Sequence, residues 1–246
     1  MISAASGYEM GGQGKLGHVP RFYIMALLVA LAGQSLFWSQ AQDLRIPWRG
    51  VSLAPTPAAA RITGLGDTQF YYRAAGLGLQ NMGDWAGELT PLAAYDYGRL
   101  AGWFTLLSQM DPKSQYVPSF AAYYFGQSRN PDQVRQIIGY LQQLAVENPQ
   151  QHWRWLAYGA YLARYRVKDP VLGLALAKQL AALPVEDMPI WTRQLPAFVL
   201  ADAGEREAAR DILEAILATT PELHPAERFF IRNYIVKRLG FYDKAR

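Results

Sequence analysis

Residues 184–221 read PVEDMPIWTRQLPAFVLADAGEREAARDILEAILATTP, and this stretch decides the fold. Its second half places Ala209, Leu213 and Leu217 four residues apart, the spacing that lines up one face of an α-helix. Its first half carries Ala197 and Leu200 three apart, and Gly204-Glu205 separates the two runs. Proline bounds the stretch at both ends. Without a backbone N–H, and with a ring that clashes with the turn before it, proline cannot continue a helix. The stretch is therefore expected to form one helix–turn–helix unit.

Working outward, the same punctuation recurs. Pro112, Pro149, Pro184 and Pro221 stand at spacings of 37, 35 and 37 residues. Each interval holds a second breaker: Asn130-Pro131, Asp169-Pro170 and Gly204-Glu205. In the first two, Asn or Asp can cap a helix whose first position is proline. Helical spacing of apolar residues predicts helices over 68–82, 92–110, 116–126, 131–147, 152–167, 170–183, 190–203, 205–219 and 225–239, with no sustained strand-type alternation. The expected class is all-α.

Over about residues 112–221 the pattern resembles the tetratricopeptide-repeat family in a degenerate form. The unit quoted above carries the resemblance most fully. The middle one offers Trp155, Tyr158, Gly159 and Leu162, then Leu176, Leu180 and Pro184; the first offers Ala122, Phe125, Leu141 and Pro149. Ile137 and Leu172 stand where the family carries a small residue, and Asn-Pro or Asp-Pro replaces its usual turn twice. A HEAT-like or other α-solenoid is the alternative. The resemblance implies a TPR-like solenoid over residues 67–246, whose first helices line a concave binding surface and whose flanking helices cap it.

Residues 22–42 carry no charge, and 22–33 (FYIMALLVALAG) are continuously apolar or small. About 20 such residues suffice for a helix to cross a bilayer core. Residues 21–42 are thus expected to be a transmembrane helix or signal anchor contacting the lipid bilayer, with Tyr23 and Trp38 near its ends. A cleaved secretory signal is the rival, because Ser39-Gln40-Ala41 supplies small residues where a signal peptidase cuts. A buried core helix is a third reading. Lys15 and Arg21 before the segment are matched by Arg45 and Arg49 after it, and the terminal amine with His18 tips the balance toward a cytoplasmic N-terminus and a periplasmic repeat domain on a bacterial inner membrane. Residues 1–20, glycine-rich, read as a flexible leader, and 43–66, proline-rich, as an extended linker.

Composition narrows the chemistry. The net charge of +4 comes from 24 basic against 20 acidic residues, far from the dense basic stripe that nucleic acid needs. With no cysteine, disulfides and thiolate chemistry are excluded. His18, His152 and His224 form no metal-binding pair, no phosphate-cradling loop occurs, and the carboxylates scatter near turns. Neither a catalytic residue nor a cofactor or metal site is expected, and no small-molecule substrate is evident.

Aromatic and arginine enrichment remains. Tyr, Trp and Arg bury large area while keeping a polar end to satisfy, which makes them the usual energetic anchors of interfaces. Tyr123, Tyr124, Trp153, Arg154, Tyr158, Tyr161 and Arg193 are the expected partner-binding residues, with Arg164 and Tyr165 in the same enriched stretch. The basic aromatic run 228–246 reads as a capping helix or a membrane-surface helix. The functional expectation is a membrane-anchored helical-repeat scaffold or adaptor that binds a protein or peptide partner in the cell envelope. The alternatives are a structural subunit of a larger membrane complex and an envelope enzyme with a superhelical domain.

Overall fold

The computed structural model describes residues 21–41, 50–85 and 88–242. The leader over 1–20 and the linker residues 43–49 lie outside them. The chain divides into two units between Pro47 and Trp48.

In the first unit, α1 (Arg21–Ala41) is long and apolar enough to cross a membrane, and a signal sequence near an N-terminus passes the same test. Its hydroxyls bond within the helix. Ser35 Oγ donates to the Leu31 carbonyl at 2.8 Å, and Ser39 Oγ to that of Leu36 at 2.9 Å. Such back-bonding gives both hydroxyls a partner within the helix itself.

In the second unit, residues 50–66 do not form the extended linker expected of them. Thr56 Oγ1 accepts from the Ala59 amide at 3.2 Å and Pro57 takes the first helical position, so the proline starts a helix, α2 (Pro57–Thr63). Ala60 is fully buried, and Val51 is nearly so. From the neighbouring helix, Arg99 Nη1 donates to the Val51 carbonyl at 2.8 Å and Trp103 Nε1 to that of Ser52 at 2.9 Å. The turn out of α2 needs glycine at position 64, where a Cβ would stand 2.7 Å from the Asp67 carbonyl oxygen and 2.9 Å from Tyr71 Cβ.

Of the helices that follow, those opening at Thr68, Tyr97, Pro131, Pro170 and Pro225 start at a residue whose side chain caps them. Asp67 caps α3 (Thr68–Gln80), accepting from the amides of Gln69 and Phe70 at 2.9 Å each. A brief antiparallel pairing of Asp84–Trp85 with Glu88–Leu89 and a 3-10 turn at Leu92–Ala94 lead to α4 (Tyr97–Met110). The helix expected over 92–110 is interrupted because the Asp96 side chain accepts from the Arg99 amide at 3.0 Å and restarts it. Then come α5 (Tyr116–Tyr123) with a 3-10 turn at Phe125–Gln127, and α6 (Pro131–Glu147). Pro149 opens α7 (Pro149–Leu162), which widens into a π turn at Ala163–Val167. After α8 (Pro170–Ala181) and α9 (Trp191–Asp202), α10 (Arg206–Thr219) leads to α11 (Pro225–Asn233), which also ends in a π turn, at Tyr234–Arg238.

From α6 to α10 each helix packs against the next in the chain, and α4 lies beside α6. Side-chain hydrogen bonds join residues about one sequence repeat apart: Tyr72 to Ser114, Tyr116 to Gln80, Trp155 to Gln115, Gln151 to Lys113, Gln142 to Gln179 and Arg135 to Asp169, at separations of 34 to 42 residues. The apolar core forms two clusters, one running from Val51 to Leu180 and the other from Ala197 to Leu239.

Asp169 illustrates how a turn ties two units. Its Oδ1 accepts from the Leu172 amide at 3.0 Å, capping α8, while its Oδ2 receives Arg135 of α6 at 2.9 Å. Losing a cap costs about 1 kcal/mol, and a partly exposed ion pair adds up to about 1 more. Asp169→Ala should lower stability by about 1–2 kcal/mol in chemical denaturation, whereas Asp169→Asn, which keeps the cap, should cost less than half of that.

Candidate functional site

A groove of about 470 Å³ opens between α7 and α9. Both helices pack closely on α8, yet they approach each other far less, so the space between them is left to side chains. One wall is the stripe Arg154, Tyr158, Tyr161 and Tyr165, at helical spacing along α7 and into its π turn. The other is Trp191, Leu195 and Val199, each four residues from the last on α9. Tyr123, from the end of α5, and Trp155 close one side.

The rings form a continuous row. Tyr123 meets Tyr158 edge-on with centroids 4.9 Å apart and Trp155 at 5.7 Å; Tyr158 stacks on Tyr161 at 5.4 Å; Tyr161 meets Tyr165 at 4.9 Å. These distances lie in the favourable range for aromatic pairs, so each ring holds its neighbour in place. Tyr123, Tyr161, Tyr165 and Trp191 remain exposed, Tyr123 by 57%. Burial, reinforced by the neighbouring Tyr161 and Tyr123, raises the pKa of the Tyr158 hydroxyl. It stays a hydrogen-bond donor at neutral pH.

Charge in the groove has one sign. Arg154 and Arg164 are the only charged residues of the lining. The Arg164 guanidinium lies 4.6 Å over the Tyr165 ring and pairs with Asp202, which Arg238 also approaches at 3.7 Å. Arg154 lies 4.4 Å over the Trp153 ring, and among the described residues no carboxylate pairs with it.

The structure brings Tyr123, Arg154, Tyr158 and Tyr161 together, and it places the other three expected partner-binding residues elsewhere. Trp153 is 6% exposed and packs on Trp191 with centroids 5.8 Å apart, serving the groove from beneath. Tyr124 stacks on Phe120 at 5.4 Å, outside the lining. Arg193 points to Thr220, donating to its Oγ1 at 3.3 Å. In turn Trp155, Trp191, Leu195 and Val199 line the groove without having been expected there. The spacing of Trp191, Leu195 and Val199 within the opening stretch was the available signal; nothing local told which face of α9 would stay open.

Behind the groove sits a fully buried histidine. His152 Nε2 donates to the Pro112 carbonyl at 2.8 Å, its Nδ1 lies 3.5 Å from Gln115 Nε2, and Gln115 Oε1 accepts from Trp155 Nε1 at 2.6 Å. Burial lowers the His152 pKa, against a smaller raising effect of the Pro112 bond. The unfolded chain therefore takes up a proton near pH 6.5 that the folded chain refuses until lower pH. His152 thus leaves stability intact above about pH 7 and erodes it as pH falls through about 6.5 toward the folded value. Thermal melts between about pH 8 and 5.5 should show a steeper loss for the native chain than for His152→Gln.

Among the described residues no cluster of His, Asp or Glu could hold a metal ion, and no Asp or Glu is buried. No family model, curated protein or solved structure matches the chain.

Proposed function

We propose that this chain is a membrane-tethered, TPR-like helical-repeat adaptor whose groove between α7 and α9 docks a segment of a protein partner. The observation that carries the reading is the exposed aromatic row facing an apolar stripe, in a cleft whose volume is that of a ligand site. Aromatic side chains left open in this way are costly unless something covers them. The one-repeat spacing of the interhelical hydrogen bonds supports serial stacking of helix pairs, the architecture in which such grooves arise. Helix α1 supports the tether, with the repeat domain in the periplasm.

A photo-crosslinking amino acid placed at Tyr161 in the full-length, membrane-embedded chain tests this reading. The expected result is a discrete protein adduct that is missing when the same probe replaces Ala175, exposed on α8. Adducts that are the same from both positions would refute the docking role.

A further inference from the structure

We infer that the groove selects an extended acidic peptide segment, about five residues long, with an apolar or aromatic side chain laid against the exposed Trp191 and its neighbour Leu195. This rests on the docking reading above and specifies its partner. The length follows from the wall: Arg154 to Tyr165 covers about 16 Å at about 1.5 Å per helical residue, and an extended chain advances about 3.3 Å per residue.

The charge preference follows from what the lining holds and what it lacks. Both charged groups of the lining are guanidinium, and among the described residues no carboxylate meets the planar fork of Arg154. Seated over the Trp153 ring, it is held in place before a ligand arrives, so little side-chain freedom is lost when a carboxylate binds. Arg164 differs, because Asp202 already neutralises it. A cation that meets no carboxylate among the described residues, at the end of an aromatic row, suits one carboxylate followed by apolar side chains.

Other anionic ligands fit less well. A single-stranded nucleic acid presents a phosphate at every nucleotide and is held by a groove that is positive along its length, whereas among the described residues this lining carries two guanidinium groups, one of them paired with Asp202. A glycan's many hydroxyls would find only tyrosine hydroxyls and two guanidinium groups in the lining, with no side-chain amide or carboxylate to accept from them. An anionic bilayer needs a projecting surface, and these residues line a cleft.

The test uses the full chain in detergent micelles and the fluorescence anisotropy of labelled peptides alternating Glu with Tyr, Lys with Tyr, or Ser with Tyr. The Glu peptide should bind about tenfold more tightly than either other, and Arg154→Glu should erase that preference. Tyr161→Ala, at an exposed position, should weaken all three peptides. Equal affinities that Tyr161→Ala still reduces would overturn the acidic preference and leave the docking groove standing. Peptide binding untouched by both variants, or no binding at all, would overturn both readings. Tighter, Arg154-dependent binding of an oligouridine or of phosphatidylglycerol vesicles would replace the peptide with that ligand.

Discussion

Phe125→Ala should cost about 3–5 kcal/mol of folding stability, at the upper end of what truncating a single core side chain produces. Phe125 is 1% exposed, and five aromatic rings surround it: Tyr124 at 5.0 Å, Phe120 at 5.2 Å, Tyr95 at 5.4 Å, Phe104 at 5.6 Å and Tyr97 at 5.8 Å between centroids. Truncation removes the ring's transfer energy and leaves a cavity that five large, mutually packed neighbours cannot collapse into. It also loosens the 3-10 turn after α5, where Tyr97 Oη donates to the Phe125 carbonyl at 3.3 Å. For a domain of this size the melting temperature should fall by about 6–20 °C, read by circular dichroism of the full chain. Phe125→Leu, which refills most of the volume, should recover more than half of the loss. A melting temperature unchanged by Phe125→Ala would show that this aromatic cluster does not hold α4 and α5 together.

Tyr158→Ala should have the second largest effect, and on binding instead of folding. Tyr158 stands in the middle of the ring row, touching Tyr123 and Tyr161, and it is only partly buried, so its removal leaves no sealed cavity. Central aromatics in an interface typically account for about 2 kcal/mol or more, which corresponds to about thirtyfold in affinity. The crosslink yield from the probe at Tyr161 should fall correspondingly, with a melting temperature shift of only a few degrees. Tyr158→Phe separates ring from hydroxyl: it should keep the stacking and lose only what the hydroxyl contributes to binding. Tyr242→Ala serves as the control, being 75% exposed and outside the groove.

Much of this was readable from local chemistry. Asn130 and Asp169 accept from the amides of Asp132 and Leu172 and start α6 and α8 at the prolines that follow them, because a cap and a fixed φ act within one turn of helix. The spacing of Ala209 and Leu213 likewise put both on the buried face of α10. The misreading of residues 50–66 shows where locality ends. A stretch with Pro55 and Pro57 reads as a spacer until α4 supplies Arg99 and Trp103 to receive its carbonyls. Pairings of that kind join residues 48 and 51 positions apart, and no local pattern announces them.

The groove divides along the same line. That Tyr123, Arg154, Tyr158 and Tyr161 carried binding chemistry was visible in their residue types, and that α1 is apolar enough for a bilayer was visible in its composition. Which aromatics are core and which are open was not. Trp153 and Trp155, two residues apart, are both nearly buried, while Tyr161 and Tyr165 on the same element are about half exposed. Helical periodicity fixes the angle at which a side chain leaves its helix, but exposure depends on how far away the next helix stands. For α7 that distance is set by α9 packing on α8 and leaving α7 uncovered, a consequence of tertiary packing alone.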